Sequence, residues 1–142
     1  MRRAMYKIAT MVARNHGYEC LINGESIGQV ASQTLESIKV VNDVTNLPIM
    51  RPVVTYDKEE IIEVAKKIKT YDISVKPYED CCTVFVPEHP IIKPKLDIII
   101  DEENKCHLNE AIQRAYDNIK IYNINKAHKT NVFEENNDVF DI

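Results

Sequence analysis

Glycine is scarce in this sequence: only three glycines occur among the 142 residues, and Gly24 and Gly28 lie close together. The sequence also lacks an apolar run near the ~20 residues that a membrane helix needs. Its basic N-terminus is amphipathic and is followed by no small-residue cleavage site, which argues against a signal peptide. We therefore expect a cytoplasmic, one-domain chain without a membrane segment, because a chain of this length can bury one core.

Positive charge is in deficit, and the four cysteines form no metal-binding pattern. The net charge of −4 argues against a domain-wide electrostatic footprint for nucleic acid. Without a secretory signal the cysteines are expected to be free thiols in a reducing compartment. Cys81 and Cys82 are adjacent but have no second pair or nearby histidine ligands, so no metal site is predicted.

Helical periodicities alternate with short apolar runs along the chain. The spacing of apolar residues predicts helices, and Asp57 with Glu60 forms a capping-box pattern at the start of one of them. The predicted helices cover residues 2–15, 29–44, 57–68 and 102–122. Short strands are predicted at residues 18–22 and 48–54. This alternation indicates an α/β layered fold with a parallel sheet, in which ligands bind at the carboxyl ends of strands.

The turn after the first predicted strand is a candidate ligand site. Glycine lets the backbone approach a ligand closely, and a helix N-terminus offers free N–H groups and the positive end of its dipole. The segment matches neither GxGxxG nor the Walker pattern. An ordinary turn followed by a solvent-exposed helix face would explain the same residues. The spacing of the residues alone does not decide between the two interpretations.

A longer stretch is similar to a known family. The segment GESIGQVASQTLESIKVVNDVTNLPIMRPVVTYDKEEIIEVAKKIKTYDISVKPYEDCCTVFVPEHP and the preceding RRAMYKIA resemble the tRNA 4-thiouridine synthetases, the tRNA sulfurtransferases of the PP-loop ATP pyrophosphatase superfamily. The resemblance covers roughly residues 1–97. It implies a partial PP-loop, Rossmann-type fold with residues 1–100 as the C-terminal half of the catalytic domain. Beyond the resemblance, apolar spacing predicts a C-terminal helix over residues 101–122, and polar composition predicts a disordered tail over residues 123–142.

The resemblance also implies a reaction. Family members use ATP, with Mg²⁺, to adenylate the C4 oxygen of a uridine in tRNA, and a persulfide sulfur then displaces AMP. The same sulfur chemistry serves thiamine thiazole synthesis in many members. The implied partners are tRNA and a cysteine desulfurase as the persulfide donor, and an exposed sheet edge would favour pairing, including a homodimer.

The resemblance assigns roles to individual positions. Arg2, Gly24 and Gln33 match nucleotide-contacting positions, and Glu25 and Ser26 are weaker ATP-binding candidates on adjacency only. Lys58 matches a functionally important lysine and is expected to face phosphate or developing charge. A sulfur-transferring cysteine falls on Cys81 by ungapped counting from Lys58, or on Cys82 by the following apolar run.

Three departures from the family pattern limit what the resemblance implies. The phosphate loop, a Ser-Gly-Gly-x-Asp-Ser type segment, and the N-terminal tRNA-docking regions are absent from this sequence. Lys69 stands where the family usually has glycine, and a left-handed backbone there would cost roughly 1 kcal/mol. A catalytically inactive remnant that acts only as an α/β interaction module is therefore the alternative hypothesis.

Overall fold

A computed structural model describes residues 1–29, 33–77 and 91–121 of the chain. In these ranges the elements alternate as an α/β chain does. They are α1 (Arg2–His16), β1 (Leu21–Ile22), α2 (Leu35–Asn42), β2 (Ile49–Met50), α3 (Lys58–Lys67), α4 (Tyr71–Ser74), α5 (Leu96–Lys105) and α6 (Leu108–Asp117). Within the described ranges, no helix is long and apolar enough to cross a membrane.

The two strands form a small parallel sheet. Leu21 pairs with Ile49 and Ile22 pairs with Met50. The Asn23 amide continues the ladder by donating to the Met50 carbonyl at 3.1 Å. A parallel pair needs a crossover connection, and α2 is that connection. The predicted α/β fold with a parallel sheet is confirmed, although each strand is only two residues long within the predicted runs.

The first helix ends as its sequence predicts and lies on the core. Gly17 has φ 72° and ψ 25°, the left-handed conformation expected of a C-terminal glycine cap. The Tyr18 amide closes the helix end by donating to the Ala13 carbonyl at 2.8 Å. The helix packs against α2 and α6. The buried apolar side chains come from these three helices: Ala13, Val40, Val41 and Ile112.

The second helix starts later than its periodicity predicts. It begins at Leu35, after the Thr34 hydroxyl accepts a hydrogen bond from the Ser37 amide at 3.1 Å. Gln33 precedes this cap, and its carbonyl accepts from the Gly28 amide at 3.0 Å. The prediction of a helix starting at residue 29 is wrong, because Thr34 satisfies the free amide of Ser37. The helix N-terminus is therefore separated from Gly24 by ten residues of chain.

The third helix is confirmed together with its capping box. The Asp57 carboxylate accepts from the Glu60 amide at 2.9 Å, and the Glu60 carboxylate accepts from the Asp57 amide at 2.8 Å. Two residues beyond the helix, Lys69 has φ 62°, so lysine occupies a left-handed position there. The helix buries none of its residues fully.

The C-terminal helical region is divided into two helices. A single helix over residues 102–122 is wrong: α5 starts at Leu96, inside the apolar run, and the chain breaks at Cys106 and His107, where His107 has φ 51°. The break lets both helices contact α1. Lys7 donates to Glu103 on α5 at 3.0 Å and to Asn109 on α6 at 3.2 Å.

Candidate functional site

The turn after β1 is tied to the segment that follows β2. The Asn23 side-chain oxygen accepts from the Glu25 amide at 3.1 Å, a turn that asparagine commonly stabilises. The Ile27 amide donates to the Val54 carbonyl at 2.9 Å. The Ser26 hydroxyl donates to the Tyr56 carbonyl at 2.6 Å and is almost fully buried. Residues 23–27 therefore have a fixed position at the carboxyl end of the sheet.

The Glu25 carboxylate is the centre of a hydrogen-bond network. Its Oε1 accepts from Arg2 Nη1 at 3.0 Å. Its Oε2 accepts from Arg51 Nε at 2.8 Å, from the Tyr6 hydroxyl at 3.0 Å and from Asn23 Nδ2 at 3.1 Å. Glu25 is only 9% exposed, so these donors replace the water that the carboxylate loses.

This network shifts the acidities of two of its members. Burial alone would raise the pKa of Glu25, but hydrogen bonds from Arg51, Tyr6, Asn23 and Arg2 lower it below the ordinary value of 4.5. Burial and the neighbouring Glu25 carboxylate raise the pKa of Tyr6 above 10.0. Glu25 is therefore an anion at neutral pH, and Tyr6 is a neutral donor to it.

The backbone conformation requires glycine at one of the two glycine positions of this region and not at the other. Gly28 has φ 81°, a conformation that favours glycine. Gly24 lies outside the left-handed region, and a Cβ added to it would meet no atom within 4 Å. The fold therefore requires glycine at position 28 but not at position 24. A glycine at position 24 leaves open space in which a ligand could approach the backbone.

Polar groups of the Gly24 turn, and of Gln33, whose carbonyl is bonded to Gly28, lack hydrogen-bond partners among the described residues. Among the described residues, the amides of Gly24 and Ser26 have no hydrogen-bond partner. The side-chain Oε1 of Gln33 is buried and is likewise unpartnered within the described ranges. Buried polar groups are normally paired, so such an oxygen marks a place where a partner fits. These groups and the Arg2 guanidinium could contact a polar ligand.

Of the other predicted site residues, the structure describes Lys58 but not the two cysteines. Lys58 is exposed in the first turn of α3, two residues after the Tyr56 carbonyl that holds Ser26. It therefore lies on the segment anchored to the Gly24 turn, although no contact joins it to Gly24. Cys81 and Cys82 lie outside the described residues. In the part of the chain that the structure describes, no group of three or more histidine, cysteine, aspartate or glutamate residues could hold a metal ion.

Sequence reasoning missed the side chains that hold this site together: Tyr6, Asn23 and Arg51. Arg51 carried a signal, because it is a charge inside the apolar run 48–54, and a buried charge needs a partner. Its Nη2 also donates to the Asn42 side chain at 2.6 Å. Glu25 and Ser26 were predicted to contact nucleotide, yet their side chains are engaged in internal hydrogen bonds.

Comparison with known proteins identifies the family. Residues 1–108 match the family model described as thiamine biosynthesis protein (ThiI). The chain belongs to the ThiI family. It is 51% identical over 120 residues to a protein named probable tRNA sulfurtransferase from Acholeplasma laidlawii, covering 84% of this chain and 29% of that relative. A protein of the same name from Listeria welshimeri is 49% identical over 139 residues, covering 98% of this chain and 34% of the relative.

A solved structure is similar to this member of the ThiI family. It is described as a crystal structure of a 4-thiouridine synthetase–RNA complex with bound ATP. The TM-score is 0.78 at 41% identity, over 84% of this chain and 31% of that one. The chain thus spans about a third of the length of the relatives it matches.

Proposed function

We propose that this chain forms part of the nucleotide site of an ATP-dependent tRNA uridine 4-sulfurtransferase. The observation that carries the proposal is Gly24, which the fold itself does not require. Its amide and that of Ser26 have no hydrogen-bond partner within the described ranges. Arg2 adds a cation bonded to the neighbouring Glu25, and Gln33, whose carbonyl accepts from the Gly28 amide, adds a side-chain oxygen without a partner among the described residues. ATP presents phosphate oxygens to backbone amides and cations, and its adenine amino group and ribose hydroxyls can donate to side-chain oxygens.

Some of these residues would contact ATP directly, and the others would position the residues that contact it. Arg2, the backbone at Gly24 and Gln33 would contact the nucleotide. Glu25 and Ser26 would act through the turn, because their side chains are bonded to protein groups. Mg²⁺ would accompany the ATP phosphates, because nucleotide sites commonly bind it through the substrate phosphates.

The chemistry requires a good leaving group and a soft nucleophile. ATP supplies AMP to the C4 oxygen of a uridine in tRNA and releases pyrophosphate. A persulfide sulfur then bonds to C4, and AMP departs with the oxygen. A cysteine desulfurase would supply the persulfide, and the same sulfur carrier would serve thiamine thiazole synthesis.

Cys81 or Cys82 would handle the sulfur, and Lys58 would neutralise phosphate or developing charge. Once the outer persulfide sulfur has bonded to C4, the cysteine thiolate would attack the inner sulfur of the donor. The S–S bond breaks, the outer sulfur stays on the uridine, and the cysteine and the donor thiol form a disulfide that an external thiol must reduce before the next turnover. If the cysteine itself carries the persulfide, a second thiol would make the same attack. Sulfur transfer needs the thiolate, so a positive neighbour must favour it. Cys81→Ser and Cys82→Ser, tested separately with ATP, tRNA, desulfurase and cysteine, identify the residue by which variant loses thiolated uridine. Full sulfur transfer in both variants would exclude a cysteine role.

A direct test of the nucleotide site uses Gly24→Ala in the chain as it stands. An added methyl meets no protein atom within 4 Å, so the thermal midpoint should not fall. Equilibrium dialysis with radiolabelled ATP and Mg²⁺ should then show weaker binding, because the methyl lies where the ligand approaches. Unchanged binding in Gly24→Ala, or no ATP binding by the unmodified chain, would overturn the proposed site.

The second candidate function is a non-catalytic α/β interaction module. Exposed apolar side chains on the strands and near α4 favour it: Ile22 is 70% exposed, Met50 53% and Ile73 69%. Sedimentation of the chain distinguishes the two. Self-association without ATP binding supports the module, and ATP binding supports the enzyme segment.

A further inference from the structure

The two oxygens of the Glu25 carboxylate accept different numbers of hydrogen bonds. Three side chains from different parts of the fold donate to Oε2: Tyr6 from α1, Asn23 from the turn and Arg51 from the residue after β2. Arg2 alone among the described residues donates to Oε1. Three donors on one oxygen fix the rotation of the carboxylate, and this rotation directs the other oxygen toward Arg2.

Two of these donors are themselves held from a second side. Arg51 Nη2 donates to the Asn42 side chain at the end of α2, and the Arg51 side chain is only 10% exposed. The Tyr6 hydroxyl also accepts a hydrogen bond from Asn23 Nδ2. The carboxylate is thus bonded directly to α1 and to the residue after β2, and it is linked to the end of α2 through Arg51. Its Oε1 has a defined position relative to all three elements.

We infer that Tyr6 and Arg51 are positioning residues of the nucleotide site, acting through Glu25 to orient the Arg2 guanidinium; this inference rests on the proposed function. Neither residue needs to touch ATP. Arg51 matches the charge of Glu25, while Tyr6 supplies a neutral donor that fixes the carboxylate without adding charge. Loss of either would let the Glu25 carboxylate rotate, so its Oε1 would no longer hold a fixed position for the hydrogen bond from Arg2.

The inference predicts a specific pattern of ATP affinities. Tyr6→Phe and Arg51→Gln should each bind ATP about tenfold more weakly, the loss expected for one charge-assisted hydrogen bond. Arg51→Lys should recover part of the affinity because it restores the cation. The controls are Tyr18→Phe, on an exposed ring stacked on His16, and Arg14→Gln, whose exposed guanidinium donates to Asn46. Both controls should bind ATP as the unmodified chain does.

A double-mutant cycle separates positioning from general loss of structure. In an Arg2→Gln background, Tyr6→Phe should reduce ATP affinity by much less than tenfold, because the group that it positions is gone. Equal effects of Tyr6→Phe with and without Arg2 would overturn the inference. Thermal unfolding of every variant checks that each is folded at the temperature of the titration, and Arg51→Lys serves where Arg51→Gln is unfolded.

The outcomes keep the inference apart from the function on which it rests. If the unmodified chain does not bind ATP, the proposed function fails. If the unmodified chain binds ATP and both Tyr6→Phe and Arg51→Gln bind it equally well, the proposed function stands and the positioning role is overturned. Losses in both variants, together with non-additivity in the cycle, support the positioning role.

Discussion

Arg3 and Glu103 form a paired contact across a hundred residues of sequence. Arg3 Nε lies 2.6 Å from Glu103 Oε1, and Arg3 Nη2 lies 3.2 Å from Glu103 Oε2. Arg3 also donates to the Val40 carbonyl of α2, and Lys7 donates to Glu103 at 3.0 Å. The pair therefore joins α1, α2 and α5. It lies one residue from Arg2, so the same helix connects the core contact to the candidate nucleotide site.

Removing one partner of this pair should strongly destabilise the fold. The side chains of Arg3 and Glu103 are 9% and 13% exposed, so Glu103→Gln leaves a buried guanidinium with incomplete compensation. We expect Glu103→Gln to lower the free energy of unfolding by roughly 3 kcal/mol, measured by urea titration.

The matched control is the exposed pair on the same helix. Lys105 and Glu102 are 70% and 62% exposed, although their N–O distance is also 2.6 Å. Glu102→Gln should change the free energy of unfolding by less than about 1 kcal/mol, since exposed pairs contribute little. Equal losses in Glu102→Gln and Glu103→Gln would show that burial does not set the strength of the Arg3 contact.

Acid should destabilise the protein through two carboxylates. Burial alone would raise the pKa of Glu103, but hydrogen bonds and charge from Arg3 and Lys7 lower it below 4.5, and the pKa of Glu25 is lowered in the same sense. A carboxyl group whose pKa is lower in the folded than in the unfolded state stabilises the protein at any pH above its unfolded-state pKa. This stabilisation is lost as the pH falls through the pKa of the group in the folded state.

The measurement is urea unfolding from pH 7 to pH 3. The free energy of unfolding should fall below about pH 4.5, and Glu25→Gln and Glu103→Gln should each weaken this dependence. Glu102→Gln, which removes an exposed carboxylate, is the control and should leave most of the dependence in place. A pH dependence that both buried variants retain in full would place its origin elsewhere.

Lys69 should be replaceable by glycine with a gain in stability. Its φ of 62° is left-handed, where a side chain costs about 1–2 kcal/mol and glycine costs little. Glycine also makes the unfolded chain more flexible, which offsets part of the gain. We expect Lys69→Gly to raise the free energy of unfolding by about 0.5–1 kcal/mol in urea titrations.

A neighbouring lysine supplies the comparison for that substitution. Lys67 ends α3 with helical geometry, so Lys67→Gly should lower the stability by up to about 1 kcal/mol. The two substitutions remove the same side chain two residues apart, and their effects should differ in sign. A loss in both would mean that the left-handed backbone at Lys69 carries no strain.

Contacts between residues close together in the sequence could be predicted from it, whereas contacts between residues far apart in the sequence could not. The Gly17 cap and the Asp57–Glu60 capping box involve residues within one turn, so spacing alone predicts them. The Arg51–Glu25 and Arg3–Glu103 contacts depend on how separated elements pack. The break at His107 was missed because apolar spacing continues across it from α5 into α6. The late start of α2 was missed because Thr34 fits an apolar-periodic position and a cap equally well.

Gln33 offers a test in which stability and binding should move in opposite directions. Its Oε1 is buried without a partner among the described residues, and an unpaired buried polar group costs about 1–3 kcal/mol. Gln33→Met keeps the length and flexibility of the side chain but removes the polar atoms. We expect Gln33→Met to raise the free energy of unfolding by about 1 kcal/mol.

The same substitution should weaken ATP binding, because the oxygen that the fold leaves unpaired is the one we assign to the nucleotide. Gln29→Met, an exposed glutamine in the same segment, is the control and should change neither quantity. Unchanged stability in Gln33→Met would mean that water reaches this oxygen in solution. Unchanged ATP affinity would remove Gln33 from the contacts. A gain in stability with a loss of affinity would indicate that Gln33 is present for the ligand and at the expense of the fold.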